Sequence, residues 1–268
     1  MGLQNNLCLL LNLFLISIYF STTNACDRCL HQSKAAFFSK SSSLSSGACR
    51  YGSSVTSIYG SHLAAAIPEI YKSGSGCGAC FQVRCKDGNL CTKAGTQVIV
   101  TDLNKNNETD FVQSGRAFMS MANKGMAQNL LKLGVTDVEY KRVPCNYQGK
   151  NLSVRVEEES TQKPNYLALK FLYQGGQTEI VGVDIAQADS SIWTYMTRIN
   201  GAVWDTSRAP AGPLQLRLVV TSGYDGKWIW AKSALPADWK IGHVYDTGVQ
   251  IDDIAQEGCG ECDEQIWK

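Results

Sequence analysis

The sequence predicts a mainly β, two-domain fold, a small mixed barrel followed by an immunoglobulin-like β-sandwich. Three observations carry this. Short runs of alternating apolar and polar residues recur along the chain, separated by Gly-rich turns. The cysteines are unevenly spread, with six between Cys49 and Cys145 and none between Cys145 and Cys259. The charge also changes sign. Residues 26–145 hold 14 Lys/Arg against 8 Asp/Glu (+6), whereas residues 146–268 hold 11 against 16 (−5). An acidic second half argues against a nucleic-acid binder, and the basic half would be drawn to an acidic matrix.

The N-terminus decides how the cysteines are to be understood. Residues 7–20 form an apolar run, and Thr23-Asn24-Ala25 places small residues where a signal peptidase cuts. Residues 1–25 are therefore expected to be a signal peptide, although Met1 to Asn6 lacks the usual basic residue. The run is shorter than the ~20 residues a membrane span needs. The mature chain is expected to be secreted, extracellular and free of membrane. Outside the cell, close cysteines read as disulfides rather than metal ligands. Removing Cys8 with the signal leaves an even set, and about 240 mature residues fit two ordinary domains.

The barrel is expected over 26–146. Cys26-Asp27-Arg28-Cys29 opens it, and Cys259-Gly260-Glu261-Cys262 lies in a C-terminal extension, 251–268. Two C-x-x-C pairs could hold zinc, but disulfides suit the compartment better, either bridging the two pairs or closing within each. Residues 39–47 read as a Ser-rich loop, and His62 to Tyr71 as a short helix limited by Pro68. Cys80–Cys85 alternates as a strand, followed by the turn Lys86-Asp87-Gly88-Asn89. Gln97–Leu103 is a buried strand containing Asp102. Phe111 to Ala122 reads as a helix with Phe111, Gly115, Phe118, Met119 and Ala122 on one face, and Val135–Val143 as a further strand.

The sandwich is expected over 147–250. Leu152–Val156 alternates cleanly. Tyr166–Tyr173 and Thr178–Ile185 read as a hairpin about Gln174-Gly175-Gly176-Gln177. Ser191–Ile199, Leu214–Thr221 and Lys227–Lys232 are further strands, and short strands at this spacing without helices suggest the sandwich.

Three separated segments carry a family resemblance: Gly47-Ala48-Cys49-Arg50-Tyr51-Gly52, the run Cys77 to Cys85, and Tyr140-Lys141-Arg142-Val143-Pro144-Cys145. They resemble the cysteine-framed signature of plant expansins. The terminal C-x-x-C pairs and Thr101-Asp102-Leu103-Asn104-Lys105-Asn106 most resemble the expansin-like A branch, and the likeness runs through Asn165-Tyr166 and Ile192-Trp193. The resemblance implies a six-stranded double-psi β-barrel like that of family 45 glycoside hydrolases, then a polysaccharide-binding sandwich. It also implies the bridges Cys49–Cys77, Cys80–Cys145 and Cys85–Cys91, which spacing alone does not choose. The pairing of Cys26, Cys29, Cys259 and Cys262 stays open. The implied activity is loosening of non-covalent wall contacts without hydrolysis.

This chain departs from the family at the barrel cleft. An inverting glycosidase needs two carboxyl groups, an acid and a base. Asp102 matches one family position. Aligned on Ala117-Phe118, Val112 stands at the second acidic position and Asp110 where the family has His. Asp110 would have to shift by two residues to serve. Ala36-Phe37-Phe38 replaces Thr-Phe-Tyr and removes two hydroxyls. No catalytic residue is assigned beyond Asp102 as a candidate, whose other role would be to hold a barrel loop. The expectation is a non-enzyme, with a hydrolase using Asp102 and Asp110, or a pure binding module, as rivals.

For the sandwich, aromatic rings stack on pyranose faces. Trp193 and Tyr195, in phase on one strand, and Trp204 are the expected carbohydrate-binding residues, with Trp228 and Trp230 as further rings and Trp239 in the core. Asn200 stands where many relatives have a second Trp. Asn107-Glu108-Thr109 and Asn151-Leu152-Ser153 are N-glycosylation sequons. Only His31, His62 and His243 are present, at no ligand spacing, so no metal and no cofactor are expected. The expected partners are cellulose, xyloglucan or other matrix glycans, met by a monomer.

Overall fold

A computed structural model describes residues 29–38, 47–106, 108–161, 165–221 and 226–252. The proposed signal peptide, Cys26, Asn107, most of the Ser-rich loop and the cysteines of the C-terminal extension lie outside these residues.

Six strands close the first barrel: β1 (His31–Phe38), β2 (Leu63–Ala66), β3 (Cys80–Cys85), β4 (Thr96–Leu103), β5 (Phe111–Ser114) and β6 (Val135–Val143). Their order is β1-β5-β2-β4-β3-β6, with β1 bonded back to β6. Two parallel pairs, β1 with β5 and β2 with β4, are embedded in otherwise antiparallel neighbours. Phe81, Val83, Val98, Val100, Phe111, Phe118 and Leu130 fill the interior.

Two expected helices are corrected here. Leu63–Ala66 is a strand, and the helix begins only at Pro68, running Pro68–Tyr71. Proline suits the first helical turn but not its interior, and pairing of the alanines with β4 and β5 overrides their helix propensity. Phe111–Ser114 is likewise a strand, and the helix spans Gly115–Ser120. Ser114 caps it by accepting from the Ala117 N–H at 3.2 Å.

Three disulfides staple this barrel, Cys49–Cys77, Cys80–Cys145 and Cys85–Cys91. Cys29 is also disulfide-bonded.

The second domain contains β7 (Ser153–Val156), β8 (Leu167–Leu172), β9 (Glu179–Gln187), β10 (Thr194–Asn200), β11 (Val203–Thr206), β12 (Leu214–Thr221), β13 (Gly226–Leu235) and β14 (Val244–Asp246). Their order is β13-β12-β9-β10-β11-β8-β7-β14. β10 serves two layers: Thr194–Met196 pairs with β9, and its later residues pair with β11. Leu167, Leu169, Phe171, Ile185, Met196, Leu216, Leu218, Trp204 and Trp239 meet between the layers.

The expected hairpin is absent, because β8 pairs with β7 and β11 while β9 pairs with β10 and β12. The Gln174–Gln177 segment carries the chain from one layer to the other. β8 is buried on both sides: Leu169 and Phe171 enter the sandwich core, while Leu172 packs against the barrel.

The domains meet over Tyr51, Tyr59, Tyr71, Cys49, Leu172 and Ala202. Gly74 and Gly201 approach so closely that a Cβ on Gly74 would lie 2.9 Å from the Gly201 Cα, and both have positive φ. Arg50 pairs with Glu159 at 2.9 Å, and Lys72 (3.1 Å) and Arg142 both pair with the buried Glu179. The opposite charges of the two halves thus meet in part at their shared boundary.

Candidate functional site

Two outward faces bear on function. The first is the part of the barrel around Asp102. Register places Asp102 (β4) beside Ala65 (β2), Ala65 beside Val112 (β5), and Val112 beside Ala36 (β1). Of the positions singled out in the sequence, Asp102, Val112 and Ala36 therefore lie in one row, of which Asp102 is the titratable member. Its Oδ1 accepts from the Ala48 N–H at 2.6 Å and its own neighbour Leu103 N–H at 2.8 Å, so the carboxylate pins the Gly47–Cys49 loop. Gly47 is required there, since a Cβ would meet the Thr101 carbonyl oxygen at 2.6 Å.

Asp110 is engaged elsewhere. Its Oδ2 accepts from the Tyr140 hydroxyl at 2.7 Å, and its backbone N–H donates to the Lys34 carbonyl at 3.0 Å. Tyr71, not foreseen in the sequence, borders Asp102. Burial, and after it the Asp102 charge, raise its phenol above the ordinary tyrosine value, and its hydroxyl donates to the Ala48 carbonyl at 3.2 Å. The row thus offers a single loop-holding carboxylate beside the buried Ala65 and the half-buried Ala36 and Val112.

The second face is the outside of the β13-β12-β9-β10 layer. Cross-strand register sets Trp230, Arg217, Asp184 and Tyr195 in one line. Alternation then keeps Trp228, two residues from Trp230, on the same face. Trp228 (51% exposed), Trp230 (47%) and Tyr195 (61%) are open to solvent. Trp193 is in the segment before β10 rather than on it, but its ring meets Trp230 at 5.5 Å between centroids, so it joins the same face. The Arg217 guanidinium lies over Trp193 at 4.5 Å, Trp228 at 4.8 Å and Trp230 at 5.7 Å, and its Nε donates to Asp184 Oδ2 at 2.7 Å.

Trp204 requires correction as a binding residue. It is 2% exposed within the sandwich core, its ring covered by Arg198 at 4.3 Å, and cannot meet a polymer. Inward alternation along β11 explains this. Arg217 and Asp184 were missed by sequence reasoning, since their adjacency depends on pairing between β12 and β9. Asn151 Nδ2 donates to Asp246 Oδ2 at 3.3 Å. Among the described residues no group of three His, Cys, Asp or Glu could hold a metal ion, and no helix is long and apolar enough to cross a membrane.

The closed barrel with two parallel pairs, followed by a sandwich bearing an exposed indole face, defines an expansin-type protein. The expansin C-terminal domain model matches residues 152–236, and a double-psi barrel model described as lytic transglycolase matches residues 63–140. Expansin-like A1 of Arabidopsis thaliana is 62% identical over 261 residues, covering 95% of this chain and 98% of that one. The chain belongs to the plant expansin family, in its expansin-like A branch. Among solved structures, the apo expansin of Clavibacter michiganensis superposes with a TM-score of 0.61 at 20% identity, covering 82% of this chain and 97% of that one. A single-substitution variant of that expansin, solved in complex with cellohexaose, gives a TM-score of 0.58 at 18% identity, with the same two coverages.

Proposed function

We propose that this is a secreted, monomeric cell-wall protein that binds wall β-glucans through the sandwich and does not hydrolyse them. The observation that carries the reading is the grouping of the exposed Trp228, Trp230 and Tyr195 with the half-buried Trp193 around Arg217 and Asp184. Apolar ring faces suit pyranose faces, while the ion pair offers a donor and an acceptor to hydroxyls. The cellohexaose bound to the bacterial relative is consistent with that ligand class. The apolar run at residues 7–20 and the paired cysteines support an extracellular wall location, where Asn107 and Asn151 would be open to glycosylation.

Absence of hydrolysis rests on the cleft. Val112 cannot donate a proton, and the Asp110 carboxylate is committed to Tyr140. A water-activating pair as in inverting glycosidases lacks its second member.

The test is extension under constant load of heat-inactivated plant wall strips, with binding and reducing-end release measured on the same protein. Binding without release of reducing ends is the expected result. Creep in the same strips would add wall loosening to binding, and release of reducing ends that disappears in Asp102→Asn would overturn the non-enzymatic reading.

A further inference from the structure

We infer that Arg217 makes the sandwich face a reader of single, separated β-glucan chains rather than of crystalline cellulose, an inference that rests on the polysaccharide-binding reading above. A crystal plane presents sugar rings side by side in one plane, so side chains that grip it must offer coplanar rings. The indoles here are not coplanar: Trp193 and Trp230 stand at 81°, and Trp228 and Trp230 at 41°. The cause is visible at their centre. The guanidinium sits among all three rings, each turning toward the cation as its electron-rich face demands. The result is a ridged surface.

A free chain can follow such a surface, because successive pyranoses rotate about their glycosidic bonds, whereas a packed chain cannot. Hydrogen bonding favours the same choice. Arg217 uses Nε on Asp184, and among the described residues its two terminal nitrogens, like Asp184 Oδ1, have no hydrogen-bond partner. Donors and an acceptor therefore stand beside the rings, arranged for equatorial hydroxyls. In crystalline cellulose those hydroxyls are spent on neighbouring chains; in a separated chain they are free. Tyr195, in the same cross-strand line, lengthens the track.

The experiment compares depletion by microcrystalline cellulose with retardation in native gels containing hydroxyethyl cellulose or xyloglucan. Wild type, Arg217→Met and Asp184→Asn are run side by side, each checked for an unchanged melting transition. Wild type should be retarded by the soluble chains and barely depleted by the crystalline solid. Arg217→Met should lose about tenfold in soluble-chain affinity, having lost a cation–π centre and charged donors, with no loss on crystals. Asp184→Asn preserves the packing and should lose a few-fold, which guards against misfolding of the first variant. Retardation by hydroxyethyl cellulose alone would assign unbranched chains, and retardation by xyloglucan a tolerance for side branches. Equal binding of wild type to crystals and soluble chains, or soluble binding unchanged in both variants, would overturn the assignment of Arg217 while leaving polysaccharide binding intact. Binding to neither would overturn both.

Discussion

The barrel and the sandwich solve stability and surface chemistry in opposite ways. The barrel is stapled by three disulfides and presents a cleft row of small or apolar residues around one committed carboxylate. The sandwich has no disulfide among its described residues, relies on a continuous apolar core, and leaves three indoles and a tyrosine near or at the solvent. The contrast teaches that two packed domains can divide covalent stapling and exposed aromatic surface between them.

The largest effect expected is on the barrel's longest bridge. Replacing Cys80 and Cys145 together by Ser opens a loop of sequence separation 65. The loss should be about 4 kcal/mol in a denaturant titration, against about 2 kcal/mol for the six-residue separation of Cys85–Cys91. Equal losses would mean that the unfolded chain is not what these bridges act on. Next, Trp204→Ala should cost about 3–4 kcal/mol through the cavity it leaves. Trp228→Ala should stay within about 0.5 kcal/mol of wild type yet weaken glucan binding. If the two tryptophans exchanged these behaviours, the division between core and binding face would be wrong.

At the boundary between the domains, Glu179→Gln removes the charge shared by Lys72 and Arg142, and about 2 kcal/mol should be lost. Two separate melting transitions would then replace one if this carboxylate couples the domains.

A further effect concerns alkali. Burial pushes the Tyr51 phenol up to about 12 and raises Tyr59 well above its ordinary value. Between pH 10 and 12 the unfolded chain has shed protons that the folded chain keeps. Stability present below pH 10 should therefore fall steadily through that interval, with the share of phenolate absorbance that Tyr51→Phe removes appearing only on unfolding. A loss of phenolate absorbance at pH 10 in folded Tyr51→Phe relative to folded wild type would show this ring to be wet.

Much of this was legible in the sequence, for identifiable reasons. β3 and β6 were readable to the residue, because period-2 alternation and flanking cysteines or proline mark their ends. β2 was not, since four consecutive small apolar residues carry no period, and only pairing on both edges makes them a strand. The Phe111–Ser114 strand imitated a helix because Phe111 and Phe118 are helically spaced. The signal that separates them was present in Ser114, a helix cap three residues before Ala117. In the site, Trp193 and Tyr195 could be proposed from expected strand alternation together with the family resemblance, although Trp193 precedes β10. Arg217 and Asp184, 33 residues apart, become neighbours only through strand register, which no local pattern encodes.

Cys145 stands at the end of the barrel and also forms a two-bond bridge with Gly176 of the sandwich, at 2.8 and 3.1 Å. The disulfide to Cys80 therefore ties into the barrel wall the residue to which Gly176 is hydrogen-bonded, so the second domain meets the first at a cross-linked strand end. A pull on the sandwich would reach Cys145 both along the 146–150 backbone and through those two hydrogen bonds, and the bridge would pass it on to Cys80.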